Sequence, residues 1–251
     1  MAAIYALSRD GGPRSPRFAA YRACVEHDWG LSAYNPMAGA AALEAVQALL
    51  ALDAEVVARE SGTEVARRCE FEEDLMLAVV VASKGMWTDR LATEIQHRTF
   101  AERRAGHGLV LLWAGEQLDV DAIRRECAAE TVRTMWTALH GPASVLDDVL
   151  AREGLAYALA REPSPYGDGD DGATVEEAIA VLGDSATQGD VVGVLYGDAA
   201  AIALGHTPLG LADTAGYRWA IAHARRAVER LGAREALVAG RALASGLHRV
   251  P

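Results

Sequence analysis

Lysine is nearly absent from this chain. Lys84 is the only one, and every other member of the 24 Lys+Arg is arginine. Alanine is abundant, and arginine-for-lysine usage with high alanine is the coding signature of a GC-rich genome. The scarcity singles out Lys84, because arginine replaces lysine poorly where a compact, titratable amine is needed. Positive charge is short overall, with a formal net charge of -11 and a pI near 5.1. That balance argues against a nucleic-acid partner, which a basic surface would serve.

Cysteine is scarce too. Cys24, Cys69 and Cys127 are odd in number, widely spaced and not in a C-x-x-C. They read as reduced thiols filling space in helices rather than as a disulfide or redox framework. The longest strongly apolar run, Leu75 to Ala82, is far below the ~20 residues of a spanning helix. The start, Met1 to Asp10, has no positive charge ahead of its short apolar piece, so it lacks the pattern of a secretory signal. The expectation is a cytoplasmic chain with no membrane partner.

Familiar catalytic signatures are missing as well. There is no G-x-x-x-x-G-K phosphate cradle, no G-x-S-x-G elbow and no H-E-x-x-H. Gly167-x-Gly169-x-x-Gly172 matches the dinucleotide fingerprint in letters only. Pro163 and Pro165 precede it where a strand is needed, and Asp168, Asp170 and Asp171 would repel a pyrophosphate. The same aspartates do not form an EF-hand, because Ile179 stands where the closing glutamate belongs. Glu94-Ile95-Gln96-His97 is a lone E-x-x-H, and a carboxylate-bridged di-iron bundle needs two. No metal or cofactor is expected.

What is present is ordinary for a soluble globular chain: 251 residues, 51% hydrophobic and 24% charged, enough for one large domain or two small ones. Helix signals dominate. Ser15-Pro16 reads as N-cap and first position of a helix to about Glu26, and Asn35-Pro36 repeats the signal. Leu43, Val46, Leu50, Ala54 and Val57 form one stripe, which Gly62 interrupts. Leu75 to Val81 fits a buried strand or a buried helix, and the acidic residues Glu70, Glu72, Glu73 and Asp74 ahead of it favour the helix. Gly108 to Trp113 is the best strand, with Ala2 to Leu7 as a partner for it. Helices follow from about Asp119, with Ile123, Cys127, Met135 and Leu139 inward, and after Gly141-Pro142, carrying Val145 and Val149. Glu162 to Thr174 is Pro/Gly/Asp-rich, reads as an exposed, mobile loop with almost no apolar anchor, and ends in a Thr174/Glu177 capping box. A last helix near Ala212 to Leu231 has the stripe Tyr217, Ile221, Ala224, Val228, Leu231.

The expected fold is therefore mainly α, a multi-helix globular bundle with at most a small β-sheet. Residues 1–161 form the main helical domain, 162–174 an acidic loop, and 175–251 helices packed on the same core. Three polar constellations stand out. On a helix from about residue 87, Trp87, Arg90, Glu94 and His97 share one face, with Lys84 one turn back and Asp89 beside them. Arg90 suits an oxyanion and Lys84 adds a second charge, so with Trp87 and Asp89 they make a binding wall; Lys84, Glu94 and His97 form the candidate acid–base group. The competing reading is a solvated face stitched by Arg90–Glu94 and Glu94–Arg98 pairs. Glu26-His27-Asp28-Trp29 with Tyr34-Asn35, and His206-Thr207-Pro208 with Tyr217, Arg218, Trp219 and His223, read more simply as a helix end and as packing. The functional expectation is a cofactor-independent enzyme on a small polar or anionic metabolite, with specialised metabolism as its setting. The alternative is a non-catalytic helical binding module or accessory subunit, with a protein partner or a second copy.

Overall fold

The computed structural model describes residues 2–5, 7, 14–25, 39–82, 90–97, 106–160, 163–167 and 172–246. The first part runs α1 (Ala2–Tyr5), α2 (Pro16–Val25), α3 (Ala40–Ala51), α4 (Ala54–Arg68), β1 (Met76–Ala82), α5 (Arg90–Ile95) and β2 (His107–Trp113). Two long helices follow, α6 (Val120–His140) and α7 (Leu146–Ala160). The rest is α8 (Gly172–Leu182), α9 (Gln188–Tyr196), α10 (Asp198–Ala203), α11 (Ala215–Leu231), α12 (Ala233–Val238) and α13 (Gly240–Gly246). Among the described residues the fold is mainly α with a single two-stranded parallel sheet.

α6 and α7 are the centre. Side chains from Glu126 to Thr137 and from Leu146 to Tyr157 are buried almost without interruption, so neither helix keeps a solvent face there. α4 and the sheet pack on α6, α11 packs on α7, and α6 and α7 pack on each other. One apolar cluster joins α6 and α7 to α8, α9, α11 and α12, including Trp136, Leu155, Val175, Leu195 and Tyr217. A second lies under the sheet and α3, with Val46, Val81, Leu112, Ile123 and Cys127.

Several helix starts follow the sequence signals. The Phe18 amide donates to Ser15 Oγ at 3.1 Å, which caps α2. The Ala122 amide donates to Asp119 Oδ1 at 2.8 Å, which caps α6. Ile123, Cys127 and Met135 are fully buried as their spacing requires, whereas Leu139, in the last turn, is exposed.

The strand expected at residues 108–113 is present, and its partner is β1 rather than the N-terminus. Met76 pairs with His107 and the register continues to Ala82 with Trp113. The helix favoured for residues 75–82 is therefore a strand. Val79-Val80-Val81 is a β-branched run, stiff at χ1 and suited to a pleated surface. Val80, Val81 and Ala82 are all buried, the uninterrupted pattern of a parallel strand covered on both faces. The acidic residues before it are exposed, and Glu70 turns the chain at φ 48° instead of opening a helix. Ala2 to Tyr5 is a short helix against α2 and α3, with Ile4 in the cluster below the sheet.

The single stripe from Leu43 to Val57 is divided between α3 and α4. Asp53 takes a left-handed conformation at φ 49°, which rotates the second helix and leaves Leu50 exposed. Gly62 does not interrupt α4. It lies inside the helix, where an added Cβ would stand 3.1 Å from Thr131 Oγ1 of α6. Thr174 sits inside α8, so it is not the cap. The 163–167 segment carries an apolar anchor that its composition hides: Tyr166 is half-buried and stacks on Tyr217, ring centroids 3.9 Å apart at 14°.

Candidate functional site

Five ionisable side chains lie buried where α6 meets α7: Glu126, Glu130 and Arg133 from α6, and Arg152 and Glu153 from α7. Helical spacing places the three on α6 along one face, at intervals of four and three residues. Arg133 Nη2 donates to Glu153 Oε2 at 2.8 Å and its Nε to the same oxygen at 3.0 Å. Arg133 Nη1 reaches Glu130 Oε2 at 3.4 Å, and Arg152 Nε donates to Glu153 Oε1 at 3.0 Å. The Leu109 amide of β2 donates to Glu130 Oε1 at 3.2 Å, which ties the lattice to the sheet. Ions removed from water cost several kcal/mol each unless paired, and this lattice pairs them.

Glu126 stands at the outer end. Tyr157 of α7 donates its hydroxyl to Glu126 Oε2 at 3.4 Å, and Arg125 Nε lies 3.4 Å from Glu126 Oε1. Arg133 also faces the Tyr157 ring, 5.2 Å from its centroid. Cys127, one residue on, reports the local potential. Burial first, and then the Glu126 and Glu130 carboxylates, push its thiol up to about 12.

Two spaces meet at Glu126. The larger is a cleft of about 440 Å³ at the C-terminal end of β2. Its walls are Glu94, the Leu111–Trp113 end of the strand, the 116–118 turn, the first turns of α6, and Pro165 with Tyr166. That volume falls within the range of small-molecule sites. The smaller is an inner crevice of about 10 Å³ bounded by His97, Leu109 to Leu111, Glu126, Glu130 and Arg133.

No protein-family model matches the chain, and neither a curated protein nor a solved structure matches it. The chemistry of this region is therefore read from its own residues.

Of the constellation expected around residues 84–98, Lys84, Trp87 and Asp89 lie outside the described residues. Arg90 opens α5, and its side chain lies outside them too. Glu94 and His97 are both half-buried, Glu94 on the cleft and His97 on the crevice. They adjoin different spaces, and Glu126 borders both. Glu26 to Asn35 also lies outside the described residues. In the third constellation, Trp219 stacks on His223 at 5.3 Å and donates to Glu176 Oε1 at 3.2 Å, while Tyr217 is buried against Tyr196 with their hydroxyls 3.0 Å apart. Arg218 bonds to the Asp213 carbonyl and Thr214 Oγ1. Tyr217, Trp219 and His223 are packing, whereas Thr207 and Pro208 are exposed.

Reading the sequence missed Glu126, Glu130, Arg133, Arg152, Glu153 and Tyr157. A signal was present: Glu126, Glu130 and Arg133 repeat at helical spacing, and Glu153 and Tyr157 do the same on the next helix. Among the described residues no group of three His, Cys, Asp or Glu could hold a metal ion, and no helix is long and apolar enough to cross a membrane.

Proposed function

We propose that this chain is a cytoplasmic protein that takes a small polar metabolite into the 440 Å³ cleft and acts on it by acid–base chemistry at Glu126, without a cofactor. The observation that carries the reading is the placement of Glu126. Its carboxylate borders the cleft, and Tyr157 and Arg125 hold it from two sides. A proton-transfer group needs a fixed position within reach of its substrate before its acidity matters. The lattice behind Glu126 provides that fixity, because Arg133 and Glu153 lock α6 against α7. Glu94 offers a second carboxylate on the cleft wall, Arg125 a cation for an anionic substituent, and Trp113 and Tyr166 an apolar boundary.

A ligand-binding module without turnover uses the same cleft, and the two differ only in whether the ligand is changed. An accessory-subunit reading draws on Val181 of α8 and Ile202 of α10, which stand 82% and 62% exposed.

The test is a thermal-shift screen of small polar acids, amines and sugars against the wild type and Ala122→Trp. Ala122 lines the cleft on the first turn of α6, and the indole fills the cleft while Glu126 remains. The reading requires at least one compound that stabilises the wild type and not the variant. A panel that stabilises neither protein, or both equally, removes the cleft as the site.

A further inference from the structure

Residues 215–246 hold six arginines against two glutamates, in a chain whose net charge is -11. Arg226 and Arg230 are exposed and one turn apart on α11, and Arg234 is exposed in the first turn of α12. Like charges at i, i+4 repel each other along a helix face. Among the described residues, no ion pair joins Arg226 or Arg230 to a carboxylate.

The opposite charge lies beside this row. Arg234 Nη1 reaches Glu70 Oε2 at 3.5 Å, which places α12 against the turn that follows α4. That turn continues through Glu72, Glu73 and Asp74, all exposed, so a basic row and an acidic turn adjoin on one surface. An exposed apolar residue accompanies each. Val238 shares a face of α12 with Arg234, four residues on, and Met76 stands two residues after Asp74. Both are 56% exposed.

We propose that this surface pairs two copies of the chain across a twofold axis, the basic row of each on the acidic turn of the other. A twofold contact is isologous: where one residue meets a second, the second also meets the first. It needs both signs of charge side by side on one surface, and that condition is met here. A separate acidic partner accounts for the arginines but leaves the acidic turn facing a like charge, and a polyanion meets the same repulsion. Pairing of two copies relieves both patches at once, because Arg226 and Arg230 then face carboxylates, and Glu72, Glu73 and Asp74 face guanidiniums. Val238 and Met76 add apolar area to the contact. Its charges fix the register and speed encounter, so the association weakens as salt shortens their reach. Neither α11, α12 nor the 70–76 turn lines the cleft, and the pairing is independent of the cleft reading.

Sedimentation velocity of the full chain tests the pairing, with two charge-reversed proteins. One carries Arg226→Glu and Arg230→Glu, the other Glu72→Arg and Glu73→Arg. All four positions are exposed, and an unchanged thermal midpoint shows that each protein folds. Arg226→Gln with Arg230→Gln, or Glu72→Gln with Glu73→Gln, serves where a reversal lowers that midpoint. The wild type is expected to dimerise, with a dissociation constant that rises ~10-fold or more between ~0.1 M and ~1 M salt as the screening length falls from about 10 Å to about 3 Å. Each reversed protein alone is expected to be monomeric where the wild type pairs, because like charges then meet. An equimolar mixture of the two is expected to dimerise again, because every contact in it joins opposite charges. A wild type that stays monomeric at ~0.1 M salt overturns the proposal. So does a dimer that both reversed proteins retain, or a mixture that remains monomeric. A wild-type monomer that changes its sedimentation only when polyglutamate or a DNA duplex is added assigns the arginines to another partner and overturns the proposal as well.

Discussion

Arg133 and Glu153 lock α6 to α7 through two guanidinium nitrogens on one carboxylate, at 2.8 and 3.0 Å, with both residues shut off from solvent. Their exposures are 1% and 0%, so water cannot replace either partner when the other is removed. Glu153→Gln is therefore expected to destabilise the protein by about 3–5 kcal/mol, the usual effect of leaving a buried charge uncompensated. Arg133→Met combined with Glu153→Leu is expected to lose less than the sum of the single changes. Urea unfolding of the four proteins measures the coupling, and additive losses contradict a direct pair.

The next prediction is steric. α7 and α11 cross at Gly154, where an added Cβ would lie 2.4 Å from the Ala220 carbonyl oxygen. The obstacle is backbone and cannot rotate away. Gly154→Ala, favourable in an exposed helix by its propensity, is expected here to cost at least ~1–3 kcal/mol through overpacking. A thermal midpoint equal to or above the wild type contradicts the close crossing.

His223 makes a pH prediction. Burial, followed by the positive charges of Arg226 and Arg230, lowers its pKa, with Glu176 acting the other way. The folded state thus binds the proton less readily than the unfolded chain. Stability contributed by this group is complete above the unfolded value of about 6.5 and is lost as pH falls through the lowered folded value. His223→Gln is expected to flatten the stability profile in that window. Identical slopes for wild type and variant as pH falls below about 6.5 contradict the assignment.

The two described thiols are predicted to be inert. Burial pushes Cys69 up to about 11 against the opposing charge of Arg68, and burial with Glu126 and Glu130 pushes Cys127 up to about 12. Neither forms a thiolate at neutral pH, and the thiolate is the nucleophile. Iodoacetamide on the native protein, followed by peptide mapping, is expected to leave both unmodified and to label both after denaturation. Rapid native labelling of Cys127 contradicts its place beneath the sheet.

Much of the helical fold was legible because it depends on local signals. Ser15 and Asp119 cap as their residue types imply, and Ile123, Cys127 and Met135 fall on the buried side of α6. The errors came where a distant partner decides. Leu75 to Val81 has no period of its own, and only β2 makes it a strand. Gly62 resembles a break until Thr131 is seen against it. The candidate site was partly legible. Glu94 and His97 do border the two spaces at Glu126, whereas the lattice on α6 and α7 was passed over. Charged residues at helical spacing ordinarily mark a solvated face, and here the spacing is the same but the face is internal. Tyr166 was hidden for the opposite reason: one aromatic among Pro, Gly and Asp reads as loop until Tyr217 is found beneath it.

The cleft beside Glu126 is the centre of the functional account, and the most direct measurement is an amide and indole NMR titration with the metabolite that most stabilises the wild type. The account predicts shifts concentrated at Ala122, Glu126, the Trp113 indole and Tyr166, and their loss in Ala122→Trp. Shifts confined to α8, α10 or α11, with those four resonances unmoved, would contradict it.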